Sequence, residues 1–200
     1  MERVILARHG ESEASAVGLV NGDPERPVHL TERGRKEARR LGERLATEPI
    51  DLCVVTAFPR TQETADVALG DRDVPRLVLT NLNDPLAGVL EGSSIAVFRD
   101  WFRSAQATTR VPEGESRVET VKRYVDGFRA VAARSERTIL VVAHGLTITY
   151  ALIASRGEDL PLTLEGVQVD HATPFPLGRD ELLRAVEVMA AWVARQGAAA

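Results

Sequence analysis

The chain has 200 residues, of which 44% are hydrophobic, and its formal net charge is −4. This length and composition predict one folded domain over residues 1–200 rather than a disordered chain. The single cysteine excludes a disulfide framework, and no apolar run approaches the roughly 20 residues of a membrane span. The cysteine usage fits a reducing compartment, so together with the lack of a membrane span it predicts a cytoplasmic protein without a membrane partner. The net charge of −4 and the scattered basic residues argue against a nucleic-acid partner.

The first part of the chain alternates strand-like and helix-like segments. A strand is predicted at about residues 3–7, followed by a polar loop over residues 10–29. Thr31 is the predicted N-cap of a helix that reaches about residue 46, because apolar residues recur there at helical spacing: Leu30, Ala38, Leu41 and Leu45. The apolar run 52–55 predicts a buried strand, and Pro59 suits the first turn of the next helix.

The same alternation continues after a predicted strand at residues 76–79. The later elements are a loop at 80–93, an amphipathic segment around 95–102, a helix at about 118–132, a strand at 138–143, a helix at 146–155, a short strand near 164–169, a Pro-containing connection and a terminal helix at 179–195. This order predicts an α/β fold with three α/β/α layers, a mostly parallel central sheet with helices on both faces, and a small cap.

Polar side chains follow three of the predicted strands. Arg8 and His9 follow the first, residues 56–60 follow the second, and His144 follows the strand at 138–143. In open α/β sheets, ligands bind at the carboxyl ends of the strands, so we expect these groups to converge. A single histidine near a loop is usually a hydrogen-bonded bystander, but two histidines in the same setting, each followed by glycine, indicate a site.

The residue types at these strand ends suit phosphoryl chemistry. An imidazole that attacks phosphorus needs cationic donors around the phosphoryl oxygens, and the planar fork of arginine binds two oxygens at once. We therefore expect Arg8 and Arg60 to clamp a phosphoryl group, His144 to donate a further hydrogen bond, and His9 to attack.

The tetrapeptide RHGE at residues 8–11 resembles the signature of the histidine phosphatase superfamily, which includes the cofactor-dependent phosphoglycerate mutases. Further segments resemble family motifs in order and spacing: residues 30–34 (LTE-x-G), 56–65 (S-P-L-x-R-T-x-x-T-A), 113–116 (G-G-E-S) and 143–145 (the second histidine). The resemblance covers residues 3 to about 152. It implies a phosphohistidine intermediate on His9 that is hydrolysed by water, without a metal or another cofactor.

The resemblance also indicates a proton donor, but with a departure from the family pattern. Asp84 stands where the family usually carries a glutamate, and aspartate is shorter by one methylene. The alternative is that Asp84 is an ordinary turn residue before a proline. Glu91 matches a later glutamate of the family that we interpret as structural, and Glu11 is a third carboxylate near the site.

Secondary contacts are expected from the loop after the nucleophile. Ser15 replaces a family asparagine and is a candidate phosphate contact, and Asn21 and Gly22 fit the family's usual turn. The cap segment, residues 81–112, is expected to select the substrate. It lacks the Arg-Arg pair of the mutases, because its arginines are scattered: Arg99, Arg103 and Arg110.

These features predict a metal-independent phosphomonoesterase acting on a small phosphorylated metabolite. One alternative is phosphoglycerate mutase-type transfer, and a second is a catalytically weak module that binds a phosphorylated ligand or partner. The third is a metal hydrolase with His9, Glu11 and His144 as ligands. We rank the metal hydrolase last because no ligand pair has helical i, i+4 spacing.

The last quarter, residues 157–200, carries no family motif, and we interpret its histidine, His171, as a loop residue rather than a pocket residue. Trp192, on the terminal helix, packs either on its own sheet or on a partner. The oligomeric state is therefore open, and a homodimer is one of the possibilities. The identity of the phosphomonoester also stays open.

Overall fold

The fold is built on a five-stranded sheet in a computed structural model that describes residues 1–161 and 169–198. The strands are β1 (Arg3–Arg8), β2 (Leu52–Val55), β3 (Arg76–Val78), β4 (Thr138–Ala143) and β5 (Pro174–Gly178). Their order in the sheet is β3-β2-β4-β1-β5, with β1 to β4 parallel and β5 antiparallel to β1. Parallel central strands are covered on both faces, which explains why β2 and β4 are uninterrupted runs of buried residues.

Seven α-helices surround this sheet in the part of the chain that the structure describes. They are α1 (Glu13–Ala16), α2 (Glu32–Arg44), α3 (Pro59–Leu69), α4 (Ile95–Ser104), α5 (Arg117–Ala132), α6 (Gly145–Ser155) and α7 (Arg179–Ala198). The Thr31 hydroxyl caps α2 by accepting from the Gly34 N–H, and Ser116 forms a capping box with Glu119 at the start of α5.

The helices divide into two layers because successive strand residues face opposite sides of the sheet. On β1, Val4 and Leu6 belong to the core formed with α5, α6 and α7, whereas Ile5 and Ala7 belong to the core formed with α2 and α3. The predicted three-layer α/β/α class with a mostly parallel sheet is confirmed. Trp192 is 1% exposed and lies in the core of its own chain.

The predicted Pro-containing connection is wrong: it is β5, an edge strand. The backbone N–H of Arg179 donates to the Glu2 carbonyl just beyond the β1–β5 pairing. By the alternation of an antiparallel ladder, the nitrogens of Pro174 and Pro176 face away from β1, so their missing N–H groups cost no bond in this sheet. The short strand predicted near residues 164–169 lies mostly outside the described residues, and the described residue at its end, Val169, is not in a strand.

Most other predicted elements lie within one or two residues of the observed ones, although the polar loop at 10–29 contains the short helix α1 and the terminal helix extends to Ala198. Two turns of 3-10 helix, Thr80–Leu82 and Gly88–Leu90, interrupt the predicted loop at 80–93. No helix among the described residues is long and apolar enough to cross a lipid bilayer.

Candidate active site

The carboxyl ends of three parallel strands bring the predicted residues together. His9 follows β1, Arg60 starts the helix after β2, and His144 follows β4 as the N-cap of α6. The rings of His9 and His144 lie 5.5 Å apart, and the guanidinium of Arg60 contacts both imidazoles. The expected convergence at one edge of the sheet is therefore present.

The hydrogen bonds of His9 define which ring nitrogen faces the site. Nδ1 lies 2.7 Å from the Gly10 carbonyl oxygen, to which it can only donate, and the Arg60 Nε–H donates to Nε2 at 3.2 Å. His9 is 4% exposed, and burial together with Arg60 and Arg8 holds its pKa well below the ordinary value. The imidazole is therefore neutral, with the lone pair of Nε2 directed toward a cation.

Arg60 is the buried centre of the site, with 3% of its surface exposed. Its Nη2–H donates to the Asn21 carbonyl at 3.1 Å and to Asp84 Oδ2 at 3.2 Å, and its Nη1 contacts the Asn21 side-chain oxygen. The guanidinium carbon lies 4.1 Å from the centroid of the Phe58 ring. These contacts hold the planar fork in one orientation before any ligand binds.

Arg8 carries a donor that is left without an acceptor. Its Nη1–H donates to the Val169 carbonyl at 2.9 Å, but Nε is buried and has no hydrogen-bond partner in the described part of the chain. Leaving a buried donor unpaired costs about 1–3 kcal/mol. A Cβ at Gly145 would lie only 3.4 Å from this nitrogen, so glycine leaves room beside the guanidinium. An oxyanion that accepts from Nε would remove the penalty.

His144 is completely buried and is oriented by a hydroxyl. The Thr56 Oγ1 lies 3.0 Å from its Nε2, and the Phe58 ring packs against its ring at 4.8 Å between centroids. Burial, followed by Arg60, lowers its pKa well below the ordinary value, so the ring is neutral. Where the Thr56 hydroxyl donates to Nε2, the ring proton is on Nδ1, on the side of Asp84.

Asp84 faces both basic groups from the loop after β3. Its Oδ2 lies 3.2 Å from Arg60 Nη2 and 3.4 Å from His144 Nδ1, and 26% of the side chain is exposed. Burial raises the pKa of Asp84 above the ordinary value, although Arg60 and Arg8 oppose this effect. A carboxyl group with a raised pKa at the edge of a cationic pocket is suited to proton transfer.

A cavity of about 840 Å³ opens above these groups. Its lining includes Arg8, His9, Arg60 and Asp84, which we call the phosphate end, and residues from one face of α4, which belong to the cap: Ile95, Phe98, Arg99, Phe102 and Arg103. The prediction that the cap arginines are scattered is wrong for two of them, because Arg99 and Arg103 are one helical turn apart and both line the cavity. Arg110 pairs with Glu119 at 3.0 Å instead.

The secondary candidates have separate roles. Ser15 lines the cavity, but its hydroxyl donates to the Ser12 carbonyl at 3.0 Å and accepts from the Ser12 N–H at 2.8 Å. The carboxylate of Glu91 accepts from the Asn21 amide at 3.1 Å and from the Gly22 N–H at 2.8 Å. Glu91 therefore holds the turn whose Asn21 holds Arg60, in agreement with the structural role we expected.

Glu11 does not enter the substrate cavity. Its carboxylate accepts from the Thr31 hydroxyl at 2.8 Å and pairs with Arg33 at 3.3 Å. It lines a second pocket, of about 440 Å³, on the far side of Arg8. The ligand set of the metal-hydrolase alternative, His9 with Glu11 and His144, is therefore not assembled in this structure.

His171 lies outside the regular elements and does not line the substrate cavity, as we expected, but its ring is close to that of the nucleophile. The Ala172 N–H donates to the Arg8 carbonyl at 2.9 Å, which lays this segment along the end of β1, and the His171 ring lies 5.6 Å from the His9 ring. His171 lines the second pocket rather than the substrate cavity, and its Nδ1 lies 3.7 Å from the Glu37 carboxylate. Burial, followed by Arg8, lowers the pKa of His171 to about 4.

Sequence reasoning missed Arg123, and it grouped Thr56 with residues 56–60 without giving it a role of its own. Thr56 stands at the start of the motif that contains Arg60. Its position at a strand end is the signal that could have identified it as a hydrogen-bond partner of the strand-end histidine His144. Arg123 lies in the middle of a helix, where nothing in the local pattern connects it to residue 84, yet it contacts the loop that carries Asp84.

Comparisons with known proteins agree with this geometry. The family model of the histidine phosphatase superfamily (branch 1) matches residues 4–173. A 2,3-bisphosphoglycerate-dependent phosphoglycerate mutase of Methylobacterium sp. (strain 4-46) is 32% identical over 211 residues, which cover 94% of this chain and 98% of the relative. The chain therefore belongs to the histidine phosphatase superfamily, whose members include phosphatases and mutases.

Relatives with phosphatase names are similarly close. An adenosylcobalamin/alpha-ribazole phosphatase of Salmonella typhimurium is 31% identical over 144 residues, covering 68% of this chain and 65% of that protein. Among solved structures, the alpha-ribazole phosphatase of Shigella flexneri superimposes with a TM-score of 0.73 at 26% identity, covering 87% of this chain and 89% of the other.

Proposed function

We propose that this protein is a metal-independent phosphomonoesterase that hydrolyses a small phosphorylated metabolite through a phosphohistidine on His9. The observation that carries the proposal is the protonation pattern of His9: Nδ1 is committed to the Gly10 carbonyl, so Nε2 keeps its lone pair on the cavity side, among Arg60 and Arg8. A neutral imidazole between two guanidinium groups is suited to attack phosphorus.

In the first step the phosphoryl group displaces part of the Arg60–His9 contact. Its oxygens accept hydrogen bonds from Arg60, from the unpaired Nε of Arg8 and from His144 Nδ1. His9 Nε2 attacks phosphorus, an N–P bond forms and the bond from phosphorus to the ester oxygen breaks. Asp84 in its protonated form, which burial favours by raising the pKa of the carboxyl group, gives its proton to the departing oxygen, so the leaving group departs as an alcohol.

In the second step the Asp84 carboxylate accepts a proton from water as the water oxygen attacks the phosphorus of phosphohistidine. The N–P bond breaks, inorganic phosphate leaves, and His9 and Asp84 return to their starting protonation states. The anionic phosphoryl oxygens are met by the cations of Arg8 and Arg60 and by the N–H of neutral His144, so the proposed chemistry uses only groups of this chain.

The names of two relatives, a phosphoglycerate mutase and an adenosylcobalamin/alpha-ribazole phosphatase, support a phosphorylated substrate. The segment 81–112 contributes one wall of the cavity and is the part of the chain that we assign to substrate selection. A cavity of about 840 Å³ accommodates a metabolite-sized ester together with its phosphoryl group.

The direct test is to trap the phosphoenzyme. Wild-type protein quenched during turnover of a ³²P-labelled ester is expected to carry phosphate that is acid-labile and base-stable. His9→Ala should carry none, whereas His29→Ala, at an exposed histidine outside the cavity, should label like wild type. Labelling that persists in His9→Ala would rule out the proposal, and turnover in excess chelator tests its metal-independent part.

A second candidate function, phosphoglycerate mutase-type transfer, is favoured by one observation. Arg99 and Arg103 line the cavity, where they can bind a second anionic group of a substrate that returns for its phosphoryl group. Labelled phosphoenzyme mixed with 3-phosphoglycerate separates the candidates. Release of inorganic phosphate supports the phosphatase, and label in a bisphosphate supports the mutase.

The binding-module alternative predicts a different result. A protein that only binds phosphorylated ligands would bind vanadate or phosphate but would turn over neither p-nitrophenyl phosphate nor any member of a phosphomonoester panel. Such a panel also measures the substrate preference directly.

A further inference from the structure

The loop that carries Asp84 contains little regular structure of its own. Between β3 and the second 3-10 turn it has only the single turn Thr80–Leu82, and Asp84 follows as the residue before Pro85. A proton donor must lie within hydrogen-bond reach of the leaving oxygen, and aspartate has the shortest acidic side chain. The backbone of this loop must therefore be held in place by other elements.

Arg123, on α5, supplies most of that support. Its Nη1–H groups donate to the carbonyls of Asn81 at 2.9 Å and Asn83 at 2.8 Å, and its Nη2–H donates to the Asp84 carbonyl at 3.3 Å. One guanidinium thus donates to these three carbonyl oxygens within four residues, and its Nη1 also lies 3.5 Å from the Thr80 carbonyl oxygen. Three such bonds from one rigid group define the path of the loop, including the residue whose side chain is the acid.

Glu115 holds this guanidinium in position. The pair is bidentate, with Arg123 Nε at 3.0 Å from Oε1 and Nη2 at 2.7 Å from Oε2. The same Oε2 accepts from the Leu86 N–H at 3.1 Å, so the ion pair contacts the loop on both sides of Asp84. Only 21% of the Arg123 side chain and 18% of the Glu115 side chain are exposed, which limits competition from water.

A second, smaller contact attaches the loop to the phosphate end. The Asn83 side-chain oxygen accepts from the Ala57 N–H at 3.0 Å, close to the start of α3 and Arg60. This bond connects the loop to the residues that follow β2, but it makes no contact with the Asp84 backbone. Within the part of the chain that the structure describes, Arg123 is the donor to the Asp84 carbonyl.

We propose that Arg123 is a positioning residue for proton transfer, which keeps Asp84 within reach of the leaving oxygen. The proposal rests on the proposed function, because it concerns the acid of that reaction. Lysine would keep the charge, but it could not donate to several carbonyls and to Glu115 with one planar group.

The test uses leaving groups that differ in their need for a proton. Wild type, Arg123→Lys and Arg123→Gln are compared by kcat/KM, which reports the steps through leaving-group departure, on p-nitrophenyl phosphate and on glycerol 2-phosphate. p-Nitrophenolate is a good leaving group that departs without being protonated. The alkoxide of glycerol 2-phosphate is a poor leaving group and needs a proton from an acid as it departs. We expect Arg123→Gln to lose about 100-fold on the alkyl ester but less than about threefold on the aryl ester, as loss of a general acid would produce.

Two variants serve as controls. Arg129→Gln, at an exposed arginine of α5 that pairs with Asp126, should leave both values within about twofold of wild type because it does not touch the loop. In an Asp84→Asn background, Arg123→Gln should add little further loss on the alkyl ester, because the group that it positions is already inactive.

The outcomes separate the positioning role from a structural one. An equal loss on both esters, or no loss on either, would overturn the proposal, because only an effect through the acid depends on the leaving group. If Arg123→Gln does not fold, Arg123→Lys decides, with a smaller loss that is again confined to the alkyl ester. A wild-type protein inactive on both esters would count against the proposed function itself.

Discussion

The two ends of the cavity differ in how they are built. The phosphate end is built around His9 and Arg60, with His144 in contact with both. All three are at most 4% exposed and follow the parallel strands β1, β2 and β4. The cap end is made of α4 and neighbouring loops, where Ile95 is 42% exposed. The phosphate end therefore has one geometry determined by the sheet, whereas the cap end can vary without disturbing the core.

This difference suggests a division of work. Groups in the phosphate end should control the rate for every substrate, because they contact the part that all phosphomonoesters share. Groups in the cap should control which ester is preferred. The following predictions test that division, from the largest expected effect to the smallest.

Replacing Arg60 should have the largest effect. Arg60→Ala removes donors from the phosphoryl group and the cation that faces His9, so kcat/KM should fall by about 10³-fold or more on every ester. Arg39→Ala, on the exposed face of α2, is the matched control and should retain activity. A loss that varied strongly among esters would contradict the proposed division of work.

Asp84→Asn should produce the next largest effect, confined to poor leaving groups. We expect a loss of about 100-fold on alkyl esters. Because the acid acts in its protonated form and burial raises its pKa, wild-type kcat/KM on an alkyl ester should fall as pH rises through that raised pKa. This decrease of kcat/KM with rising pH should be absent in Asp84→Asn. If the variant has the same pH profile as wild type, the decrease belongs to another titrating group.

Substitution in the cap should change preference more than rate. Arg99→Ala is expected to raise KM about tenfold for an ester that carries a carboxylate, and to leave p-nitrophenyl phosphate within about twofold, because only the former presents a second anion to α4. Arg110→Ala, whose parent side chain pairs with Glu119, is the control in the same segment. Equal changes for both esters would show that the cap does not discriminate by charge.

The smallest effect is expected from His171, and it concerns stability rather than rate. Its pKa is lowered to about 4 in the folded chain, below the ordinary value near 6.5, so the unfolded chain binds a proton that the folded one rejects. Stability is therefore lost as pH falls through the window from about 6.5 to 4. In His171→Asn the decrease in Tm between pH 7 and pH 4.5 should be smaller by about 5 °C.

Wild type provides the comparison for this measurement. If His171→Asn shows the same decrease in Tm between pH 7 and pH 4.5 as wild type, the lowered pKa of His171 does not contribute to folding.

The phosphate end could be predicted from the sequence because its signals are local. An apolar run followed by a polar residue and glycine describes a strand end, and strand ends of a parallel sheet meet. His171 and the two cap arginines could not be found in this way, because their placement depends on how a distant segment runs beside β1 and on which face of α4 turns inward. Arg123 is a similar case, since its partners lie about forty residues earlier.

The missed strand β5 has a different cause. Its prolines oppose strand formation in the interior of a sheet, so propensity argues correctly against a central strand but not against an edge strand. Position in the sheet is a property of the whole fold and is not written in the five residues of the strand themselves.

The orientation of those prolines also limits how two copies of the chain could associate. Pro174 and Pro176 remove two N–H donors from the outward edge of β5, so another strand laid along that edge would lack the donors needed to continue a regular ladder. The prolines thus protect the sheet from edge-to-edge polymerisation on this side. A dimer of this protein would have to form through side-chain packing of helices or through the opposite edge, at β3.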